Sequence, residues 1–281
     1  MKVIIHGGFI GESSLDEPTK QAKKQALQDI VTKSYEFLKT HNAEDTVVFA
    51  VSLLEDEPLF NAGIGSRIQS DGVIRMSASL MNGATLKFSG VINIEEVKNP
   101  IQVAQSLMKV DDRVLGGSCA VDYARNHGFE KFSTEIPERR EEYNKHCQES
   151  NRLGTVGCVV LDAYGNIAAG TSTGGKGFEI PGRISDSATT AGNYANQNCG
   201  ISCTGVGEDI VSLSISSKIA TRVDDGMTIG DAFEKTFLEL KKIDGFAGAI
   251  GIDKEGSIYH LDSFPKMVFA HYDGETLGIF D

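Results

Sequence analysis

Between Glu130 and Arg152 the chain is dense in Glu, Arg, Lys, Asn and Gln, and then its character reverses at Gly154–Val160, GTVGCVV. The polar side reads as an exposed, mobile segment or a solvated helix. The apolar side reads as the start of a buried strand. Asn166–Ser172 is its hairpin partner across the turn Ala163-Tyr164-Gly165-Asn166. A threonine, Thr155, therefore stands where solvated chain enters the core.

The remaining elements follow from periodicity. Lys2–His6 is β-branched and runs into Gly7-Gly8 as a buried strand. From about Pro18 to Thr40 the apolar positions Leu27, Ile30, Val31, Phe37 and Leu38 predict an amphipathic helix. A second helix is expected over Asp45–Leu54, a glycine-rich loop over Asn61–Ser66, and strands near Leu86–Ile92. Helices should start at Pro100 and Gly117, and others should cover Glu208–Val223 and Thr228–Lys242. Strands with turns at Lys254–Gly256 and Asp273-Gly274 close the chain. Short turns between neighbouring strands favour antiparallel sheets covered by helices over a parallel βαβ sheet.

Composition excludes some partners. A net charge of −12 argues against nucleic acid and against an anionic membrane surface. No run reaches the length of a membrane span, and the MKVIIHGG start lacks the long apolar core of a secretory signal. The cysteines 119, 147, 158, 199 and 203 are scattered without a C-x-x-C pair, so reduced thiols and a cytoplasmic location are expected.

Around Thr155 several groups suit acyl-transfer chemistry. Thr171-Ser172-Thr173-Gly174-Gly175 lies at the far end of the paired strand and brings a second hydroxyl beside the first. Gly182-Arg183-Ile184-Ser185-Asp186 adds a cation and an anion on one loop, and Ser202-Cys203-Thr204-Gly205 adds another hydroxyl beside a glycine. Each also has a plainer reading: a turn into a strand, a surface ion pair, a strand-end turn. His6 reads as a strand-end residue whose ring satisfies backbone groups. Gly174–Gly177 lacks the spacing of a phosphate loop.

Together HGG (6–8), LFNAGIGS (59–66), LGTVGCVVLDAYGNIAAGTSTGG (153–175), GRISDS (182–187) and SCTGVGE (202–208) resemble, in order, the signature segments of plant-type L-asparaginases and isoaspartyl aminopeptidases. The resemblance implies an α+β, four-layer αββα sandwich, the N-terminal-nucleophile hydrolase fold. It implies a single domain, 1–281, cut between Gly154 and Thr155 into pieces 1–154 and 155–281. A threonine hydroxyl can attack the preceding carbonyl. The amine so released can then serve as base for that hydroxyl, its reference pKa near 8 leaving it partly neutral. By the same resemblance Thr173 orients Thr155, while Thr204 and Gly205 form the oxyanion hole. Arg183 and Asp186, with Gly207, hold the amino-acid end of the substrate, and Gly7 and Asn61 support the site. No cofactor is required, although the carbonyls of Leu54, Glu55, Glu57, Phe60, Ala62 and Ile64 match a loop that holds a structural Na+. A homodimer of αβ units acting on asparagine or β-aspartyl peptides is implied. A glycosylasparaginase-like amidase and a non-catalytic amino-acid-binding paralogue are the competing readings.

Four departures from that pattern stand out: Ser77 and Asn82 where aspartates are usual, Ser185 for Gly and Ala188 for Pro. At position 185 a positive φ would strain a serine and reshape the loop, weakening action on free asparagine, whereas a negative φ would not.

Overall fold

The computed structural model describes residues 1–9, 17–145, 154–264 and 267–281. Strand β1 (Lys2–Phe9) leads to helices α1 (Glu17–Leu38) and α2 (Ala43–Glu55), the latter capped by the Asn42 side chain, which accepts from the Asp45 N–H. Strands β2 (Met76–Asn82) and β3 (Lys87–Ile94), helix α3 (Pro100–Leu107), strand β4 (Val114–Gly116) and helices α4 (Gly117–Asn126) and α5 (Pro137–Asn144) follow. The hairpin β5 (Val156–Leu161) and β6 (Ile167–Thr173) comes next, then β7 (Asn193–Ala195) and β8 (Cys199–Gly205). Helices α6 (Gly207–Leu213), α7 (Ile215–Asp224) and α8 (Ile229–Lys241) precede β9 (Ala247–Asp253), β10 (Ile258–Asp262), β11 (Met267–Tyr272) and β12 (Leu277–Ile279).

Two sheets result, one ordered β12-β11-β1-β5-β6-β2-β3-β4 and the other β10-β9-β8-β7. Every described pairing is antiparallel except β3 with β4. Strand alternation sorts the core into layers. Val3, Ile5, Val156, Cys158 and Val160 face α1 to α4, whereas Ile4, Val159 and Leu161 face the second sheet. Cys199, Ile201 and Cys203 of β8 turn to the other side and pack with Ile219, Phe233 and Leu240 of α7 and α8. Helices, sheet, sheet, helices: the αββα sandwich is present. No helix among the described residues is long and apolar enough to cross a membrane.

Two local expectations need correction. The helix expected over Glu208–Val223 is two helices, because Ser214 adopts the left-handed conformation (φ 51°) between α6 and α7 and interrupts the hydrogen-bond ladder. Strand β2 precedes the strand that periodicity located. The described part of the polar segment contains a solvated helix, α5, tied down by Arg139 Nε to the Gly65 carbonyl and Tyr143 Oη to the Ser70 carbonyl. The rest of that segment, with Cys147, Arg152 and Leu153, lies outside the described residues.

Phe233 is among the largest fully buried side chains and packs edge-on to Tyr259. Phe233→Ala is expected to destabilise the fold by about 3–5 kcal/mol in urea unfolding, since the second sheet and α8 cannot collapse around the void.

Candidate active site

Strand β5 pairs with β1 through His6↔Gly157 and with β6 through Gly157↔Thr171 and Val156↔Ser172. That register sets Thr155, just before β5, opposite Thr173 at the end of β6. Both are buried, and the Thr155 hydroxyl donates to Thr173 Oγ1 at 3.3 Å. Thr173 in turn donates to the Gly154 carbonyl at 3.2 Å and accepts from the Gly175 N–H at 3.3 Å. Asn61 completes the cluster: its Nδ2 donates to the Gly154 carbonyl at 2.9 Å and to that of Gly175, while its Oδ1 accepts from the Arg67 N–H. The carbonyl preceding Thr155 thus has two side-chain donors. Gly7 lies in β1 where a Cβ would overlap the Phe60 ring, the close approach that lets the 59–66 loop reach the cluster.

Strand β8 ends beside this cluster. Thr204 is fully buried with its hydroxyl lacking a hydrogen-bond partner among the described residues, and Gly205 has φ 144°. The loop from Gly182 carries the second half of the site. Arg183 presents Nε and Nη2 to the Glu208 carboxylate at 2.7 and 2.8 Å, and this hydrogen bonding holds Glu208 down at about 2. Asp186 is buried, accepts from the Ser185 hydroxyl at 2.7 Å through Oδ1, and has no partner for Oδ2 among the described residues. A Cβ on Gly207 would overlap Ser185 Oγ and lie 2.9 Å from both Arg183 Nη2 and Asp186 Oδ1. A cation and an anion therefore converge on the open side of one glycine, a shape that suits a zwitterionic α-amino acid. The loop is fixed to β8 by the Cys203 N–H donating to the Gly192 carbonyl at 2.8 Å.

The departures have local explanations. Ser185 has φ −100°, so serine sits there without strain and the expectation of a reshaped loop does not hold. Asn82 caps the β2–β3 turn by accepting from the Ala84 and Thr85 N–H groups. Ser77 faces Thr173 across the β2–β6 ladder and accepts from the Asn93 N–H. Ala188 is buried in the short 3-10 turn Asp186–Ala188.

In the loop following α2, two backbone carbonyls lie close against glycines. A Cβ on Gly63 would overlap the Glu55 carbonyl oxygen, and one on Gly65 the Phe60 carbonyl oxygen. The Glu55 carboxyl is buried next to them, accepting from Ser172 Oγ at 2.6 Å and the Ile101 N–H at 3.1 Å, and burial pushes it up to about 8. Hard oxygen donors without thiol or imidazole fit a small hard cation. Among the described residues no group of three or more His, Cys, Asp or Glu gathers as a metal site.

Sequence reasoning missed four participants. Glu208, at the end of the SCTGVGE segment, was given no role yet neutralises Arg183. Ser202 and Thr171 meet below the site at 2.7 Å. His6 is not a strand-end residue: it is fully buried within β1, where a backbone hydrogen bond links it to Thr155 and its Nε2 meets Ser202 Oγ at 3.0 Å. Burial pushes its imidazole down to about 3, so the ring is neutral.

Comparison with known proteins adds to this geometry. A family model described as asparaginase matches residues 1–279. An isoaspartyl peptidase/L-asparaginase of Synechocystis sp. is 44% identical, with 99% of this chain and 89% of that protein covered. An isoaspartyl peptidase of Escherichia coli is 34% identical over 99% of this chain and 95% of its own length. A plant-type L-asparaginase of Thermococcus kodakarensis is 34% identical with 95% of each chain covered.

Burial is the main reason that the Asp186 carboxyl rises from its ordinary value to about 6, the Ser185 hydroxyl and Arg183 pulling it back only in part. The folded chain keeps this proton to higher pH than the unfolded chain does. The stability supplied by protonation is present in acid and lost as the pH rises from the ordinary aspartate value through about 6. Asp186→Asn should therefore raise Tm near pH 8, by about 1–3 kcal/mol of stability, and have little effect near pH 4. Thermal melts of parent and variant at the two pH values check the sign.

Proposed function

The chain belongs to the asparaginase family, and on that premise we propose that it is an autoprocessing threonine amidohydrolase. It cuts itself before Thr155 and then hydrolyses the side-chain amide of L-asparagine or the β-aspartyl bond of isoaspartyl dipeptides. The single observation that carries this reading is the Gly154–Thr155 junction. There the Thr155 hydroxyl lies within hydrogen-bond reach of Thr173, and the Gly154 carbonyl accepts from both Asn61 and Thr173. Donors on that carbonyl stabilise the negative charge that builds on its oxygen when the hydroxyl attacks. Collapse of the adduct expels the Thr155 nitrogen and leaves an ester, which water cleaves.

In turnover the released α-amine takes the proton from its own hydroxyl, and Thr155 Oγ1 attacks the β-carbonyl of the substrate. Thr204 Oγ1, buried and unpartnered among the described residues, is the proposed oxyanion donor together with the Gly205 N–H. The amine or ammonia leaves with the proton, and water then attacks the aspartyl ester to release the acid and restore Thr155. Arg183 receives the α-carboxylate on the guanidinium edge that Glu208 leaves open, and Asp186 receives the α-ammonium. The carbonyls of Leu54, Glu55, Glu57, Phe60, Ala62 and Ile64 would hold the proposed Na+, which would stiffen the loop carrying Asn61. A homodimer of αβ units is proposed on family grounds, with native mass as its test.

Thr155→Ala is expected to give one uncut chain without amidohydrolase activity, whereas the parent gives pieces of about 16 and about 14 kDa at ~110 Da per residue. Thr155→Ser should keep part of both activities, because a hydroxyl remains. Maturation and turnover by the alanine variant, read by intact mass and ammonia release, would show that another residue is the nucleophile.

Arg183→Lys keeps a charge but loses the planar fork, and should lower kcat/KM by about tenfold or more, mainly through KM. Parent-like kinetics on both asparagine and β-aspartyl-leucine would remove Arg183 from the substrate site.

A further inference from the structure

The interior between the two sheets is apolar over most of its extent, lined by Ile4, Val159, Ile167, Ala169, Ile250 and Ile252. At one level this changes. Ser202 of β8 extends from the small sheet to the large one, where its hydroxyl meets His6 Nε2 of β1 at 3.0 Å and Thr171 Oγ1 of β6 at 2.7 Å. His6 and Thr171 are not neighbours, since β5 runs between their strands. The residue of β5 at this level is Gly157, paired with His6 on one side and Thr171 on the other. A Cβ there would overlap both Ser202 Oγ and His6 Nε2. Glycine at 157 is thus the opening through which one serine reaches two strands. All three polar side chains are fully buried, and Thr171 Oγ1 has a further long 3.5 Å contact to the Gly192 carbonyl.

The placement of this node relative to the reactive groups is regular. Thr155 lies two residues from Gly157, Thr173 two from Thr171, and Thr204 two from Ser202. Residues two apart share a face of a strand and are about 6.6 Å apart along it. The node is therefore the layer directly beneath Thr155, Thr173 and Thr204, in every strand that contributes one. The nucleophile candidate and its partner belong to the large sheet and the oxyanion candidate to the small sheet, so their separation is the separation between sheets. Apolar side chains can slide and repack, whereas hydrogen bonds have a short range of acceptable lengths.

We propose that the His6–Ser202–Thr171 node is a positioning device that sets the spacing of the two sheets at the active site, and so the distance from Thr155 to Thr204. The three residues act through the strands and do not touch substrate. The proposal rests on the reading of Thr155 as nucleophile. It is compatible with a neutral imidazole, because only hydrogen bonding and no proton transfer is asked of His6.

The test compares Thr171→Val, which removes the hydroxyl at nearly constant shape, with Thr171→Ser, which keeps it. Thr171→Val should lower kcat by about ten- to a hundredfold, the range expected when a reacting pair is displaced by up to ~1 Å. KM and the affinity for the product aspartate, which report on Arg183 and Asp186, should change less than about twofold. Thr171→Ser should restore most of kcat. Ser202→Ala should reproduce the valine effect, and the double variant should be no slower than either single one, as members of one unit are non-additive. Should Thr171→Val not fold, Ser202→Ala carries the same comparison. Parent-like kcat in Thr171→Val or in Ser202→Ala overturns the proposal. So does an equal loss in Thr171→Ser, or a loss confined to KM and aspartate affinity. Thr155→Ala is assayed in parallel: turnover by that variant refutes the nucleophile reading itself, whatever the node variants do.

Discussion

Strand β5 is hydrogen-bonded along both edges, to β1 and to β6, and every residue in it is buried. The rest of the site is arranged around that double pairing. A central strand of this kind cannot slip by one residue without turning Val156, Cys158 and Val160 away from the helices that cover them. The register is therefore strongly held, and with it the position of Thr155 relative to Thr173. The chemistry begins one residue before the strand does, where the backbone is still oriented by the sheet but no longer used by it.

The charged half of the site is built on a different principle. Arg183 and Asp186 lie on a loop, and loops are positioned by what holds them. Here the loop is held by the Cys203 N–H of β8 donating to the Gly192 carbonyl, by Asn93 Nδ2 donating to the Arg183 carbonyl at 3.2 Å, and by Glu208 at the start of α6. Glu208 also offsets the charge of Arg183, so the pocket attracts a carboxylate through directed hydrogen bonds more than through a bare positive field. Asp186 is kept nearly isolated from solvent, which makes its interaction with an incoming ammonium stronger than the same contact would be in water.

Much of this could be read from the chain. The hairpin was legible because turn residues separate two apolar runs, and α1, α3 and α8 because their apolar positions follow helical spacing. Thr155, Thr173, Arg183, Asp186 and Thr204 were legible only as members of spaced segments; singly each had an ordinary explanation. What stayed hidden was long-range or conformational. Strand β2 mixes Ser77 and Ser79 into a run buried on both faces, so no alternation marks it. The break at Ser214 is a matter of φ, which serine does not advertise. The pairing of His6 with Ser202 joins positions 196 residues apart, and a lone histidine beside a pair of glycines gives no sign of such a partner. Ser185 was read against glycine's freedom, and the loop turned out not to need it.

The order of the large sheet acquires a further meaning if the chain is cut before Thr155. Strands β1 to β4 would belong to one piece and β5, β6, β11 and β12 to the other, so that β1 lies clasped between β11 and β5 while β6 pairs with β2. The two pieces are interleaved rather than adjoined. No single face separates them, and parting them would require breaking three ladders in the middle of one sheet together with the helical layer over it. A cut of this kind frees an amine without creating a dissociable complex: the severed protein would behave as one cooperative body. It would also be a body whose halves are poorly suited to finding each other again once unfolded, since β1 would have to thread between two strands of a separate molecule.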